Sequence, residues 1–161
     1  MAPLSKYLLP LLGSFVLSQA APVAPAYDYL SHARSSSDAL MKWYNQGTGV
    51  FNGTGWWNSA ECITALADMQ GLDPTSNFLG TLENTFEINK NVWTTKSDFY
   101  DDEGWWALAW IKAYDMTKDQ KYLTTAEQIF DDMAKGWTTN CGGGIWWDKD
   151  STYVNSIANG A

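Results

Sequence analysis

The hydrophobic and polar positions of the chain predict five helices after residue 30. Two of them, at about 58–70 and 103–116, carry apolar residues on most sides, and such a helix must be buried all round. The other three, at about 31–46, 76–91 and 119–135, carry apolar residues on one face. One-sided helices therefore alternate with enclosed ones, and no segment alternates as a strand. This pattern predicts an all-α fold with two concentric layers of helices.

Each one-sided helix should turn its apolar stripe towards the core. The helix at 31–46 is expected to end at Gly47, because glycine stops helices well. The residues expected to face inwards on the first and the last helix are Ala39, Leu40, Trp43, Tyr44, Tyr122, Ala126, Ile129, Phe130 and Met133.

A short tryptophan motif recurs along the chain. Gly-Trp-Trp occurs at 55–57 and 104–106, and a variant at 144–147 precedes a third expected inner helix. The spacing of roughly 40–50 residues is typical of a two-helix repeat. Inner helices that are separated by a returning outer helix run parallel, so their N-termini should lie at one end. The three Trp pairs should therefore meet at one rim, with one Trp of each pair in the core and the other lining the rim.

The segment 98–111, DFYDDEGWWALAWI, places Asp101 and Asp102 at the head of the second enclosed helix. Adjacent carboxyls repel each other, so one should keep its proton to a higher pH than the other. An acid beside a base is what glycoside hydrolysis requires. Aspartates at the start of a helix also serve as caps or complement the helix dipole. The expected convergence with the Trp pairs favours the catalytic interpretation.

The glycine-rich segment 140–148 allows two interpretations. Its three glycines are compatible with a simple turn after a helix. They also let a backbone approach a ligand closely, with Trp147 and Asp148 presented beside it. The recurrence of aromatic and carboxylate side chains together favours the second interpretation.

Composition and charge narrow the range of partners. The chain has 18 Asp and Glu against 10 Lys and Arg, without a basic cluster, which argues against nucleic acid and anionic membrane surfaces. Ten tryptophans suit a neutral, hydroxyl-rich ligand such as a sugar. No His, Cys and Asp cluster has metal-ligand spacing, so neither a metal nor a cofactor is expected.

The N-terminus is typical of an export signal that covers residues 1–20. Lys6 is followed by the apolar run Tyr7–Leu17 and by the small-x-small sequence at 18–20. The apolar run is too short to span a bilayer as a helix. Residues 21–30 should form a flexible lead-in to a domain at 31–161.

Export has two chemical consequences. Asn52, in Asn-Gly-Thr, is the only N-glycosylation acceptor of the chain. An oxidising compartment permits a disulfide between Cys62 and Cys141 but does not require one.

The segments DFYDDEGWWALAWI and CGGGIWWDKD resemble signatures of glycoside hydrolase family 76, the fungal and bacterial endo-α-1,6-mannanases. The resemblance covers nearly all of the chain after the signal, and its YDDEGWW run is highly specific. It implies an (α/α)6 barrel and a retaining mechanism, with Asp101 as nucleophile and Asp102 as acid/base. Secreted fungal members act on cell-wall mannan, and some carry a GPI anchor and are implicated in cross-linking mannoproteins of the wall.

The motifs and the resemblance indicate a set of candidate site residues and a partner. The partner would be α-1,6-mannan or a mannoprotein polysaccharide, met after secretion at the cell wall. The candidate substrate-binding residues are Trp57, Asn58, Tyr100, Trp105, Trp106, Gly143, Gly144, Trp147 and Asp148.

The length of the chain qualifies this interpretation. Six hairpins of roughly 45 residues need well over about 250 residues, so 161 residues should hold about half of the barrel. Turnover is then expected only from a full-length form, and a GPI anchor only in a longer one. Two other functions remain open: a mannan-binding or transglycosylating protein without net hydrolysis, and a helical-repeat interaction protein whose Trp pairs are only core.

The export signal predicts where the mature chain begins. Cleavage after Ala20 should leave Ala21 as the first residue of the extracellular protein. N-terminal sequencing of secreted material checks this, and finding an intact Met1 on that material contradicts the export signal.

Overall fold

The computed structural model describes residues 28–160, and most of this part is helical. The predicted signal and most of the predicted lead-in lie outside it. No helix of the described part is both long and apolar enough to cross a membrane. The five helices are α1 Tyr29–Met41, α2 Trp56–Leu72, α3 Leu79–Asn89, α4 Tyr100–Thr117 and α5 Gln120–Met133.

Two antiparallel hairpins of two-residue strands accompany the helices. In the first, β1 Tyr44–Asn45 pairs with β2 Val50–Phe51. In the second, β3 Trp137–Thr138 pairs with β4 Gly144–Ile145. The sequence did not indicate these strands, because a strand of two residues is too short to show an alternating pattern.

Helices α2 and α4 form the inner layer and pack against each other. Ile63 and Leu66 of α2 and Trp106 and Trp110 of α4 are completely buried. The outer helices α1 and α3 contact α2, and α5 packs along α4. Inner and outer helices therefore alternate along the chain, as the pattern predicts.

Aromatic rings fill the space between the layers. The ring of Phe86, on α3, meets Trp110 edge-on at 5.2 Å and Tyr122 at 5.0 Å between centroids. Trp93, from the loop after α3, lies 5.0 Å from Trp106 and 5.6 Å from Trp56. Edge-to-face and offset contacts of this kind stabilise aromatic cores beyond the area they bury.

The prediction that the first helix continues to Gly47 is wrong, since α1 ends at Met41. The side chain of Asn45 accepts a hydrogen bond from the Gly47 amide at 2.9 Å, and Gly49 adopts φ +68°. This local turn chemistry competes with the helix. As a result Trp43 is 60% exposed instead of facing the core.

Three apolar positions on the later helices were also predicted wrongly. In α5, Tyr122 and Ile129 are buried as expected, but Phe130 is 65% exposed. In α4, Leu108 and Ile111 are each 41% exposed, so that helix is not enclosed on every side. Together with Trp137 and other residues, these side chains line an apolar groove of about 850 Å³.

The third inner helix expected after Trp147 is absent from the described residues. The chain turns back on itself there, and the amide of Trp147 donates to the carbonyl of Tyr153 at 2.9 Å. Ser151, at φ 59°, forms the turn, and Asp148 accepts hydrogen bonds from Thr152 within it. A tight carboxylate-centred turn therefore follows the third Trp pair.

The first hairpin is tied to α3 by the hydroxyl of Tyr44. This oxygen lies 2.9 Å from Oγ1 of Thr85, which is fully buried, and accepts from Nδ2 of Asn84 at 2.8 Å. We expect Tyr44→Phe to lower the free energy of unfolding by roughly 1–3 kcal/mol, because buried polar partners lose their hydrogen bonds. Urea unfolding measures the change, and a loss below about 0.5 kcal/mol contradicts this role.

Candidate active site

Three carboxylates lie in the first turn of α4, at Asp101, Asp102 and Glu103. None of them caps the helix: the N-cap residue is Phe99, and no side chain makes a capping hydrogen bond. Their charges complement the helix dipole. Their polar contacts, however, are with residues outside the helix. A simple role as helix caps does not explain these contacts.

Asp101 and Asp102 line an open cleft of about 570 Å³ whose other walls are mainly aromatic. One Trp of each repeated motif contributes to it: Trp57, Trp105 and Trp147. The convergence expected from the repeat is therefore present in the structure. The remaining lining residues are Phe99 and Ile157.

The rings around the cleft are arranged in two groups. Trp57 and Trp105 lie 6.2 Å apart between centroids, with 34° between their planes. On the other side, Trp147 contacts Phe99 at 4.4 Å and Tyr153 at 5.2 Å. The two aspartates thus share the cleft with two sets of flat apolar surfaces.

Asp101 is buried, with 9% of its surface exposed. The indole Nε1 of Trp147 donates to its Oδ2 at 3.3 Å. Its Oδ1 has no hydrogen-bond partner within the described residues. Because an indole N–H can only donate, Trp147 orients Asp101 as an acceptor and leaves its second oxygen uncommitted.

Asp102 has a different environment. The hydroxyl of Ser97 donates to its Oδ2 at 2.6 Å and itself accepts from the amide of Phe99 at 3.2 Å. Partial burial raises the pKa of Asp102, the nearby charge of Asp101 adds to the rise, and the Ser97 hydrogen bond opposes it. The two adjacent carboxyls are therefore chemically distinct.

Glu103 is completely buried beside this pair, next to Lys149. The Nζ of Lys149 lies 2.5 Å from Oε1 of Glu103 and 3.0 Å from Oδ2 of Asp132. Burial raises the pKa of Glu103 to about 7; Lys149 opposes the rise, and the charge of Asp132 adds to it. This ion cluster was not expected from the sequence.

Residues 28–161 match the family profile of glycosyl hydrolase family 76. The chain belongs to this family. No curated protein sequence matches the chain significantly.

Solved structures of family 76 share the fold. The GH76A α-1,6-mannanase of Salegentibacter sp. HEL1_6 has a TM-score of 0.73 at 24% identity, over 81% of this chain and 42% of that one. An inactive variant of that mannanase, with two adjacent aspartates replaced by alanine and α-1,6-mannotetrose bound, has a TM-score of 0.71 at 23% identity, over 82% and 42% of the two chains.

A third structure, a family 76 glycoside hydrolase from a bovine Bacteroides thetaiotaomicron strain, has a TM-score of 0.59 at 21% identity. It is matched over 74% of this chain and 32% of its own. The chain thus spans less than half of the length of these family 76 structures. Its helices form about half of an (α/α) barrel, as predicted.

Several predicted site residues of this family 76 chain do not line the cleft. Trp106 is fully buried in the core. Asn58 closes the start of α2, where its Oδ1 accepts from the Gly55 amide at 3.1 Å. The ring of Tyr100 is packed so tightly on Gly136 that a Cβ there would approach it to 2.6 Å. These three side chains stabilise the surroundings of the cleft.

The glycine-rich segment also lies elsewhere than expected. Gly143, at φ 109°, packs on Trp137, and Gly144, in β4, lies against Asn159. Neither glycine lines the cleft with the aspartates. Asp148 is buried in its own turn, so within this segment it is Trp147 that reaches the cleft.

Ser97, Phe99 and Ile157 are cleft or cleft-supporting residues that sequence reasoning missed. Phe99 and Ser97 directly precede the acidic turn, so their position in the chain was an available signal. Ile157 comes to the cleft only through the turn after Trp147, and no local pattern indicates that.

The remaining predicted features are located as follows. Asn52, the predicted glycosylation site, is exposed next to β2. Cys62 is half-buried on α2 and Cys141 is exposed, and the two thiols are not bonded. Within residues 28–160, no group of three or more His, Cys, Asp and Glu side chains is arranged to hold a metal ion.

The adjacent residues Trp105 and Trp106 make a matched test of this geometry. Trp106→Ala should cost roughly 3–5 kcal/mol of stability, because it empties a fully buried indole site. Trp105→Ala should cost much less, since that ring lines the cleft. Urea unfolding measures the loss in free energy of unfolding for both variants. Equal losses would mean that both rings belong to the core.

Proposed function

We propose that the protein hydrolyses α-1,6-mannosidic bonds of mannan with retention of anomeric configuration. The observation that carries the proposal is the pair Asp101 and Asp102, two adjacent carboxyls in different environments within one tryptophan-lined cleft. Retaining glycosidases need a nucleophile and an acid/base that face the same bond. Membership of family 76 supports the same reaction class.

Asp101 has the features of the nucleophile. The indole of Trp147 fixes one of its oxygens as an acceptor, and the other oxygen is uncommitted. In the first step a carboxylate oxygen of Asp101 attacks the anomeric carbon of a mannosyl unit. The glycosidic carbon–oxygen bond breaks at the same time, and a covalent glycosyl-enzyme forms.

Asp102 has the features of the acid/base. Burial and the neighbouring charge raise its pKa, which favours the protonated form that gives its proton to the leaving glycosidic oxygen. Asp102 then takes a proton from water, and that water attacks the anomeric carbon and releases Asp101. The Ser97 hydroxyl is able to donate to Asp102 when it is ionised and to accept when it is protonated.

The spacing of the pair favours retention over inversion. Adjacent residues have Cα atoms about 3.8 Å apart. Their carboxyls therefore reach the roughly 5–5.5 Å separation of retaining enzymes more easily than the wider gap of inverting ones.

The aromatic walls of the cleft suit a sugar chain. The faces of Trp57, Trp105 and Trp147 offer flat apolar surfaces on which pyranose rings stack. The Salegentibacter enzyme is described as an α-1,6-mannanase, and its inactive variants, with two adjacent aspartates replaced, were solved with α-1,6-mannotetrose and α-1,6-mannotriose. These names support α-1,6-mannan as the substrate class here.

We also propose that the protein is exported, acts at the cell wall and carries a glycan on Asn52. The N-terminal residue pattern motivates export. The exposure of Asn52 in the loop beside β2 leaves room for a glycan. A polymeric substrate outside the cell agrees with both features.

The mechanism predicts a clear contrast between aspartates of the same helix. In the whole protein, Asp101→Asn and Asp102→Asn should each lower kcat for α-1,6-mannan by roughly 10²–10⁴-fold or more with little change in stability. Asp115→Asn, an exposed carboxylate at the other end of α4, should leave kcat unchanged. Reducing-sugar release and thermal unfolding measure the two effects.

Two results would contradict the proposal. Activity that survives both substitutions at Asp101 and Asp102 rules out the assignment of the pair. Products longer than the starting oligosaccharide, without net release of reducing ends, would show a transglycosylating protein instead of a hydrolase.

A further inference from the structure

Lys149 does not line the cleft, yet its ammonium joins the segments that build it. Its Nζ lies 2.5 Å from Glu103 on α4 and 3.0 Å from Asp132 on α5, and it donates to the carbonyl of Thr94 at 2.6 Å. The contact with Glu103 is an ion pair, and those with Asp132 and Thr94 are hydrogen bonds. Lys149 thereby connects α4, α5, the loop before α4 and its own segment.

The main chain on either side of Lys149 runs across the start of α4. The amide of Lys149 donates to the carbonyl of Asp98 at 2.9 Å, and the amide of Tyr100 donates to the carbonyl of Trp147 at 3.0 Å. Trp147 lies two residues before Lys149 and places its Nε1 3.3 Å from Asp101. One short segment therefore carries both the lysine of the ion cluster and the indole that contacts the aspartate.

The burial of Glu103 indicates why this lysine matters. A fully buried carboxylate without a partner costs several kcal/mol, so it must be paired or take up a proton. Lys135 offers a useful contrast: it also binds Asp132, at 2.7 Å, but its side chain is 73% exposed and it makes no ion pair with Glu103. Exposed pairs of that kind contribute little.

We propose that Lys149 is a positioning residue, which holds Trp147 against Asp101 by anchoring residues 147–149 to Glu103. The geometric part of this proposal stands on the contacts above. Its catalytic consequence rests on the proposed function. Lys149 touches neither the cleft nor the reacting atoms, so it acts through Trp147.

The removal of the lysine should leave a folded protein. Because burial raises the pKa of Glu103 to about 7, this carboxyl takes up a proton readily once Lys149 is gone. The other charged groups around Glu103 are Asp132 and, further away, Lys135. The comparison is made at about pH 8, above that pKa, so that Glu103 is ionised and paired with Lys149 in the unmodified protein.

The first experiment follows the indole of Trp147 in the intact protein, independently of activity. Its N–H signal in a ¹⁵N correlation spectrum is assigned by its loss in Trp147→Phe. In Lys149→Met this signal should shift and its hydrogen should exchange with solvent at least about tenfold faster, since the indole is no longer held. In Lys135→Met both properties should stay as in the unmodified protein.

The second experiment measures turnover of α-1,6-mannan. Lys149→Met should lower kcat/KM roughly 10–100-fold, because Trp147 no longer holds Asp101 in position to attack the anomeric carbon. Lys135→Met should have no effect. In a Trp147→Phe background, Lys149→Met should have almost no further effect, since both changes remove the same contact.

The outcomes separate the two proposals. An unchanged Trp147 signal in folded Lys149→Met overturns the positioning role, as does a full additional loss of kcat/KM in the Trp147→Phe background. If Lys149→Met does not fold, Glu103→Gln is used instead, because it keeps the shape of the side chain and removes its negative charge. An unchanged Trp147 indole signal in Glu103→Gln then overturns the positioning role of Lys149. Inactivity of the unmodified full-length protein, together with the expected spectral changes, contradicts the proposed function while the geometric role stands.

Discussion

Helix α4 begins with three consecutive carboxylates, and its next turns run directly into the aromatic core. A carboxylate that leaves water must be paired or hydrogen-bonded, or it takes up a proton. Each of the three meets a different donor: an indole N–H at Asp101, a serine hydroxyl at Asp102 and a lysine ammonium at Glu103. The loop before α4 and the segment after β4 supply these donors. Both segments are therefore held at the start of α4 by their contacts with its carboxylates.

The helix itself separates the three groups. Successive residues of an α-helix point about 100° apart, so neighbours in sequence face different surroundings. Asp101 faces Trp147 while Asp102 faces Ser97, although both remain on the same cleft. Two adjacent residues can therefore differ in burial and hydrogen bonding, which is the condition for one to act as a base while the other holds a proton.

The periodicity of the apolar residues was sufficient to predict most of the helical fold. The apolar patterns located all five helices within a few residues, apart from the end of α1, and identified α2 and α4 as the inner pair. The spacing of the tryptophan motif predicted that its members meet at one rim. The motif could not tell which Trp of a pair faces the cleft, because an indole suits a core and a sugar site equally well.

The structure shows that the choice varies from one copy of the motif to the next. The second Trp faces the cleft at Trp57 and Trp147, but the first does so at Trp105. In α4, the ring of Trp106 packs in the core between Trp56 and Trp110. The preceding tryptophan is therefore the one that faces the cleft. A repeat in the sequence therefore did not imply an identical role at each copy.

Contacts between distant parts of the chain were beyond the reach of local patterns. Lys149 stands between two aspartates in the sequence and has the appearance of a surface lysine. Its partner Glu103 lies 46 residues earlier, and nothing in either neighbourhood indicates that the two side chains meet or that Glu103 is buried. Asp148 shows the same limit, since the side chain expected beside a ligand holds the turn that follows Trp147.

The acidic turn of α4 does not serve as a helix cap. Acidic side chains are favourable in the first turn of a helix whatever else they do, because the helix dipole stabilises negative charge there. A cap, however, would direct a side-chain oxygen to the free amides of the first turn, and no such bond is present in α4. The dipole thus offsets part of the cost of placing carboxylates at the edge of a core. The oxygens of Asp101 and Asp102 are directed instead to Trp147 and Ser97 at the cleft.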